Sequence, residues 1–338
     1  MALYAIDDLD DAWAATHEFL TPLSVKRLLV LAVIVFFVGG TGSNFGGGGG
    51  GTPDTEPATG AEPNVEALWT VLAENALVIG LLGGAVLALL LAFMLVGALM
   101  EFVFVQSLRT DEVRFWGYSR AYLGEGLRLL GFRIGLSILG VLPAAVFLGF
   151  GAAAFGAGPL PEVGGAVLVV LGLLAALAFL AMALVDSFTT AFVVPVMLVR
   201  ETGVLDGWRA FWPTVASHWK QYLAYAVAAF VLNLALGIVF VIALAIAALA
   251  VGIPLGILGV SVALLAEAIL LPVAVVLVAL FALTLIVTAL LLQVPIQTYL
   301  RYYALLILGD TDAELDPIPE IRRTIRVDED REPEPQLY

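Results

Sequence analysis

Between Lys220 and Glu267 the chain runs for 46 residues without a charged side chain. No soluble core hides so long an apolar stretch, and a bilayer does, because about 20 apolar residues already span its hydrocarbon. Three more runs repeat the feature. Asn75 to Met100 is uncharged for 26 residues, Ala268 to Leu300 is uncharged throughout, and Val163 to Val199 is broken only by Asp186. The composition of 62% apolar and 13% charged residues lies well away from the quarter charged that is usual in soluble domains. The expectation is an all-α integral membrane protein with about six transmembrane helices.

Charge distribution sets the topology. All fifteen Lys and Arg residues fall into four clusters, at 26–27, 109–133, 200–220 and 301–331, and the stretches between them, around 46–74 and 156–164, hold only acids. Six spans place every basic cluster on the cytoplasmic side, with both termini inside, whereas seven would put Arg301 and the tail outside. The parts are then a cytoplasmic amphipathic segment at 1–27, a helical membrane domain at 28–308 with a flexible outer loop at 46–66, and a disordered acidic tail at 309–338. The first span, from Leu28 to about Phe45, is marginal in length. Pro143 predicts a bend in the third span, and Pro195 a break in the fourth. The surplus length at 252–272, with Gly252, Pro254 and Gly256, reads as a re-entrant or interfacial piece.

Inner-face connectors carry the remaining pattern. Arg109 precedes Trp116 by seven positions and Arg128 by nineteen, and Arg200 precedes Trp208 by eight and Lys220 by twenty. That spacing suggests a repeat of about 91 residues, each unit a two-span hairpin with an amphipathic connector helix, although a bias toward Leu, Val and Ala could imitate it. In the connectors Arg109, Arg114, Arg120, Arg128, Arg133, Arg200, Arg209 and Lys220 are candidate contacts for lipid head groups. Their interleaved aromatics also suit a nucleic-acid face, but Asp111, Glu112 and Glu125 dilute the charge, and no nucleic-acid partner is expected.

Within the apolar runs the polar candidates are few. Asp186 could cap a helix at the inner interface, form a buried polar lock, or handle an ion or substrate, and Glu267 faces the same alternatives near the outer side. Asn233 and Gln293 are lone amides suited to hydrogen bonds between helices. His218 reads as a surface anchor. The chain has no Cys, and His17 and His218 alone complete no structural zinc site. The glycines at 46–51 lack the Lys-Ser/Thr ending of a phosphate loop, and no protease, hydrolase or metal motif is present, so neither a catalytic residue, a metal nor a cofactor is expected.

The connector DSFTTAFVVPVMLVRETGVLDGWRAFWPTVASHWKQYLAY, which follows a long apolar helix, resembles multi-spanning proteins of haloarchaea, as does the acidic excess of 14 charges. More distantly it resembles the membrane domain attached to some glycerophosphoryl diester phosphodiesterases. That likeness covers chiefly residues 180–235 and implies an architecture without the soluble barrel or its metal ligands. The function expected is a non-enzymatic scaffold, partner-recruiting or lipid-organising membrane component, with membrane lipids and other membrane proteins as partners. The alternative is a transporter or permease, with a lipid enzyme third.

Overall fold

Leucine, alanine and valine dominate the long runs, and a helix is the one single-segment structure that satisfies its own backbone within hydrocarbon. The computed structural model describes residues 4–21, 24–40, 75–154, 165–265 and 269–329, and every regular element among them is helical. In order these are α1 (Tyr4–Leu20), α2 (Val25–Gly40), α3 (Ala76–Thr110), α4 (Phe115–Ala121), α5 (Leu123–Ala154) and α6 (Gly165–Phe188). A π-helical segment (Thr189–Val193) then leads into α7 (Val194–Arg200), α8 (Val204–Ser217), α9 (Trp219–Leu265), α10 (Leu270–Thr311) and α11 (Pro319–Glu329). Five helical rods are long and apolar enough to cross a membrane: α3, α5, the continuous run from α6 into α7, α9 and α10. The apolar helix α2 has 16 described residues, about 24 Å at the usual rise. Residues 41–74, with the expected outer loop, lie outside the described residues, as does Glu267.

The long helices pair as three hairpins: α2 with α3, α5 with α6, and α9 with α10. The hairpins converge at one end. There the buried residues gather: Leu31 to Val38 of α2, Ala98 to Leu108 of α3, Thr189 to Leu198, and Tyr302 to Leu308 of α10. Phe192 stacks on Phe211 at 5.2 Å and meets Tyr225 at 4.8 Å, which ties the π segment to α8 and α9. The far ends are different. No residue in the most apolar eighteen-residue stretch of α3, α9 or α10 is buried, as suits surfaces facing lipid.

Three expectations need correction. The region 252–272 holds no re-entrant turn or separate span among its described residues, because α9 continues through Gly252, Pro254 and Gly256 to Leu265. Gly252 serves helix approach: a Cβ there would lie 3.2 Å from the Phe281 ring of α10. At 47 residues α9 is about 70 Å long, so it tilts or projects beyond a hydrocarbon layer of about 30 Å. Pro195 does not break the fourth run. The π segment just before it supplies the extra residue that accommodates a proline with no N–H. Pro143 lies inside α5, which continues on both sides of it.

The tail is the third correction. Through Glu329 it is not disordered, because Pro319 starts α11, and α11 docks on α1. Arg326 binds Asp11 at 2.9 Å, Asp8 at 3.2 Å and Asp310 at 2.6 Å, while Arg322 binds Asp310 at 2.8 Å. The sequence DPIPE reads as open chain, yet Asp316 accepts the Ile318 amide at 3.0 Å, and Leu315 and Ile318 are buried. Acidic side chains scattered over α1 and α10 share the arginines of α11, a pairing that local composition conceals. Both terminal helices therefore lie at the convergent end of the bundle.

Close packing of α8 depends on Gly207, where a Cβ would stand 2.9 Å from Val193 Cγ1 and 3.2 Å from Met197 Cγ. Gly207→Ala is expected to destabilise the protein by about 1–2 kcal/mol through overpacking, read as a lowered thermal midpoint in detergent.

Candidate functional site

Where the three hairpins converge, α3 brings Glu101, α5 brings Arg133, α6 brings Asp186, and α10 brings Arg301. The Glu101 side chain is fully buried and accepts hydrogen bonds from both guanidiniums, from Arg301 Nη2 and, at 3.4 Å, from Arg133 Nη2. Arg133 Nε lies 3.4 Å from Asp186 Oδ1 in an ion pair off hydrogen-bonding geometry. Two carboxylates and two guanidiniums thus form a chain in the order Arg301, Glu101, Arg133, Asp186. Charges in a membrane interior are tolerated when paired in this way.

The π segment completes the site. A π turn loosens the regular backbone ladder and leaves carbonyls for other donors. Here Arg301 Nη1 donates to the Thr190 carbonyl, and Arg133 Nη2 donates to Thr190 Oγ1 at 2.9 Å. Trp208 of α8 donates from Nε1 to Thr189 Oγ1 at 3.0 Å, which links the inner connector to the same turn. Arg301 also lies 5.8 Å from the centre of the Phe104 ring, within cation–π range.

Two cavities flank the ion chain. One of about 90 Å³ lies between α6, α9 and α10 and reaches Ser187, Thr190, Asn233, Gln297 and Arg301. The other, about 460 Å³, lies between α3, α5 and α6 and reaches Arg133, Ser137 and Asp186. Arg133 Nη1 is buried and has no hydrogen-bond partner among the described residues.

Among the residues nominated by the sequence, Asp186 sits inside a continuing helix, so it caps nothing, and it is the half-buried end of the ion chain. Asn233 donates to the Ala229 carbonyl of its own helix at 2.8 Å instead of bridging two helices. Gln293 faces Gly39 of α2, so its position is interhelical. Of the eight basic candidates for lipid contact, Arg109, Arg114, Arg120, Arg128, Arg200, Arg209 and Lys220 are exposed. Several of these have acidic neighbours: Arg114 pairs with Glu112, Arg209 with Asp206 and Arg200 with Glu314. Arg133 is a correction: it is buried among carboxylates, because α5 turns it inward toward Glu101. Glu101 and Arg301 carry the site without nomination, although a lone charge flanked by apolar residues is the signal for each. Among the described residues, no group of three His, Cys, Asp or Glu is placed to hold a metal ion.

Long apolar hairpins around a paired ionic centre define a multi-spanning helical membrane protein. No curated protein and no solved structure matches the chain. Residues 3–318 match the model of a family of unknown function (DUF7544), and the chain belongs to that family.

Proposed function

We propose that the protein is a non-enzymatic membrane component that organises lipid or recruits membrane-protein partners between its hairpins. The carrying observation is the asymmetry of the bundle: ionic and aromatic packing locks one end, while no residue in the most apolar stretches of α3, α9 and α10 is buried. The exposed basic residues of the connectors support contact with lipid phosphates at the locked end. With the described residues of each basic cluster near that end, the reading places it, and both termini, in the cytoplasm. The acidic balance supports a source adapted to high salt. The connector's likeness to the membrane domain of glycerophosphoryl diester phosphodiesterases supports an architectural role.

A second reading, transport of a solute, is favoured by the two cavities on either side of the ion chain. Because the chain has no Cys, single cysteines at Leu87, Leu174 and Leu249 give unique spin-label sites, all of them exposed. In reconstituted vesicles the labels should collide freely with dissolved oxygen and rarely with a water-soluble nickel complex. Nickel access at these positions would mark an aqueous path and replace the first reading with the second.

A further inference from the structure

The ion chain is polarised across the π segment. Around Glu101 two guanidiniums meet one carboxylate, and the second carboxylate, Asp186, stands on the Arg133 side. The larger cavity therefore has Arg133 and Asp186 together in its wall, whereas the smaller has Arg301 and no acidic side chain.

Donors in the smaller cavity are left over in an uncommon way. Hydroxyls on membrane helices ordinarily donate to the carbonyl four residues back, as Ser137, Ser261, Thr284 and Thr288 do in this chain. Ser187 has no hydrogen-bond partner among the described residues. Thr190 Oγ1 accepts from Arg133, and its own hydrogen has no acceptor among the described residues. Asn233 spends one amide hydrogen on Ala229 and keeps its second beside the cavity. A guanidinium and three neutral donors around a space with no carboxylate are the complement of an oxyanion. About 90 Å³ is room for several water-sized groups, hence for a carboxylate or phosphate head.

We propose that the cavity between α6, α9 and α10 binds a small oxyanion, a carboxylate or phosphate group, against Arg301, Ser187 and Thr190. The site goes beyond the scaffold reading and holds whether the oxyanion is a free solute or part of a lipid head group.

The test titrates the purified full chain in detergent with acetate, inorganic phosphate and dihexanoyl phosphatidylglycerol, each at constant ionic strength against chloride, and follows heat of binding. Saturable binding of a free anion identifies a solute site, and saturable binding of the lipid alone identifies a head-group site; either supports the proposal. Ser187→Ala removes one donor, and Ala229→Leu fills the space without touching the ion chain. Ser187→Ala should weaken binding by about tenfold, the loss expected when a hydrogen bond to a charged group goes, and Ala229→Leu should weaken it at least as much by taking up the space. Ser137→Ala, in the other cavity, should leave it unchanged. The proposal is overturned if none of the three probes saturates, or if both cavity variants, folded as judged by circular dichroism, bind like the native chain.

Discussion

Glu101→Leu is expected to destabilise the protein by about 3–5 kcal/mol, the usual cost of leaving buried charge without its partner. Among the described residues Glu101 is the only carboxylate that touches both guanidiniums, and its side chain is fully buried. Without it Arg301 keeps the Thr190 carbonyl and the Phe104 ring, while Arg133 falls back on Asp186 and the Thr190 hydroxyl. The three converging helices thereby lose the junction that holds α3 to α5 and α10. Glu101→Gln should cost less, about 1–3 kcal/mol, since the amide oxygen still accepts one hydrogen bond. The double variant Glu101→Leu with Arg301→Met should recover much of the loss, because the orphaned cation leaves with its partner and Arg133 retains Asp186. Reversible unfolding in mixed micelles, read by circular dichroism, measures all three. A double variant less stable than Glu101→Leu alone would show that the centre is not held by pairing around Glu101.

The site is only half legible in sequence, and the reason is where each charge stands relative to apolar runs. Asp186 interrupts 37 residues that are otherwise uncharged, so it announces itself. Glu101 follows a run of 26 uncharged residues and passes for the end of a span, yet α3 continues to Thr110 with Glu101 enclosed. Arg133 and Arg301 lie in clusters that also hold exposed arginines, and sequence has no means of separating an inward arginine from one that reaches lipid. The π segment is legible only as the proline after it. The fold itself is more open to reading, because its period-free apolar runs and the one-sided basic clusters are properties of the chain and not of the packing.

The hairpin repeat shows the same division. Arg109 and Arg200 mark matching places, and the structure adds that Asp111 and Glu201 end their helices in the left-handed conformation, at φ 52° and 53°. Glu101 lies ten residues before Asp111, and Thr190 eleven before Glu201, and both reach Arg301 of the third hairpin. Equivalent stations on three hairpins thus meet at one point, each with a different polar group.

Arg326→Ala is expected to weaken the docking of α11 by about 2–3 kcal/mol after allowance for the partial exposure of the arginine. The substitution leaves Asp8 and Asp11 of α1 and Asp310 of α10 facing one another, with Arg322 still on Asp310 and Tyr303 of α10 close by. Burial, followed by the nearby charge of Asp310, pushes Asp8 up to about 8 from an ordinary 3.8. Burial raises Asp316, the neighbouring acid before α11, as well. An acid with a raised pKa holds its proton in the folded state at a pH where the unfolded chain has lost it. Folding of this cluster therefore binds a proton between about pH 4 and 8, and its stability declines as pH rises through that window. Hydrogen exchange of the 319–329 amides reads this directly: protection should be greater near pH 5 than near pH 8, after correction for the intrinsic exchange rate. In Arg326→Ala the contrast should widen, because no guanidinium remains to offset the Asp8 charge. Equal protection at the two pH values in both proteins would mean that the apolar contacts of Leu315, Ile318 and Ile325 hold the tail helix, with the carboxylates as bystanders.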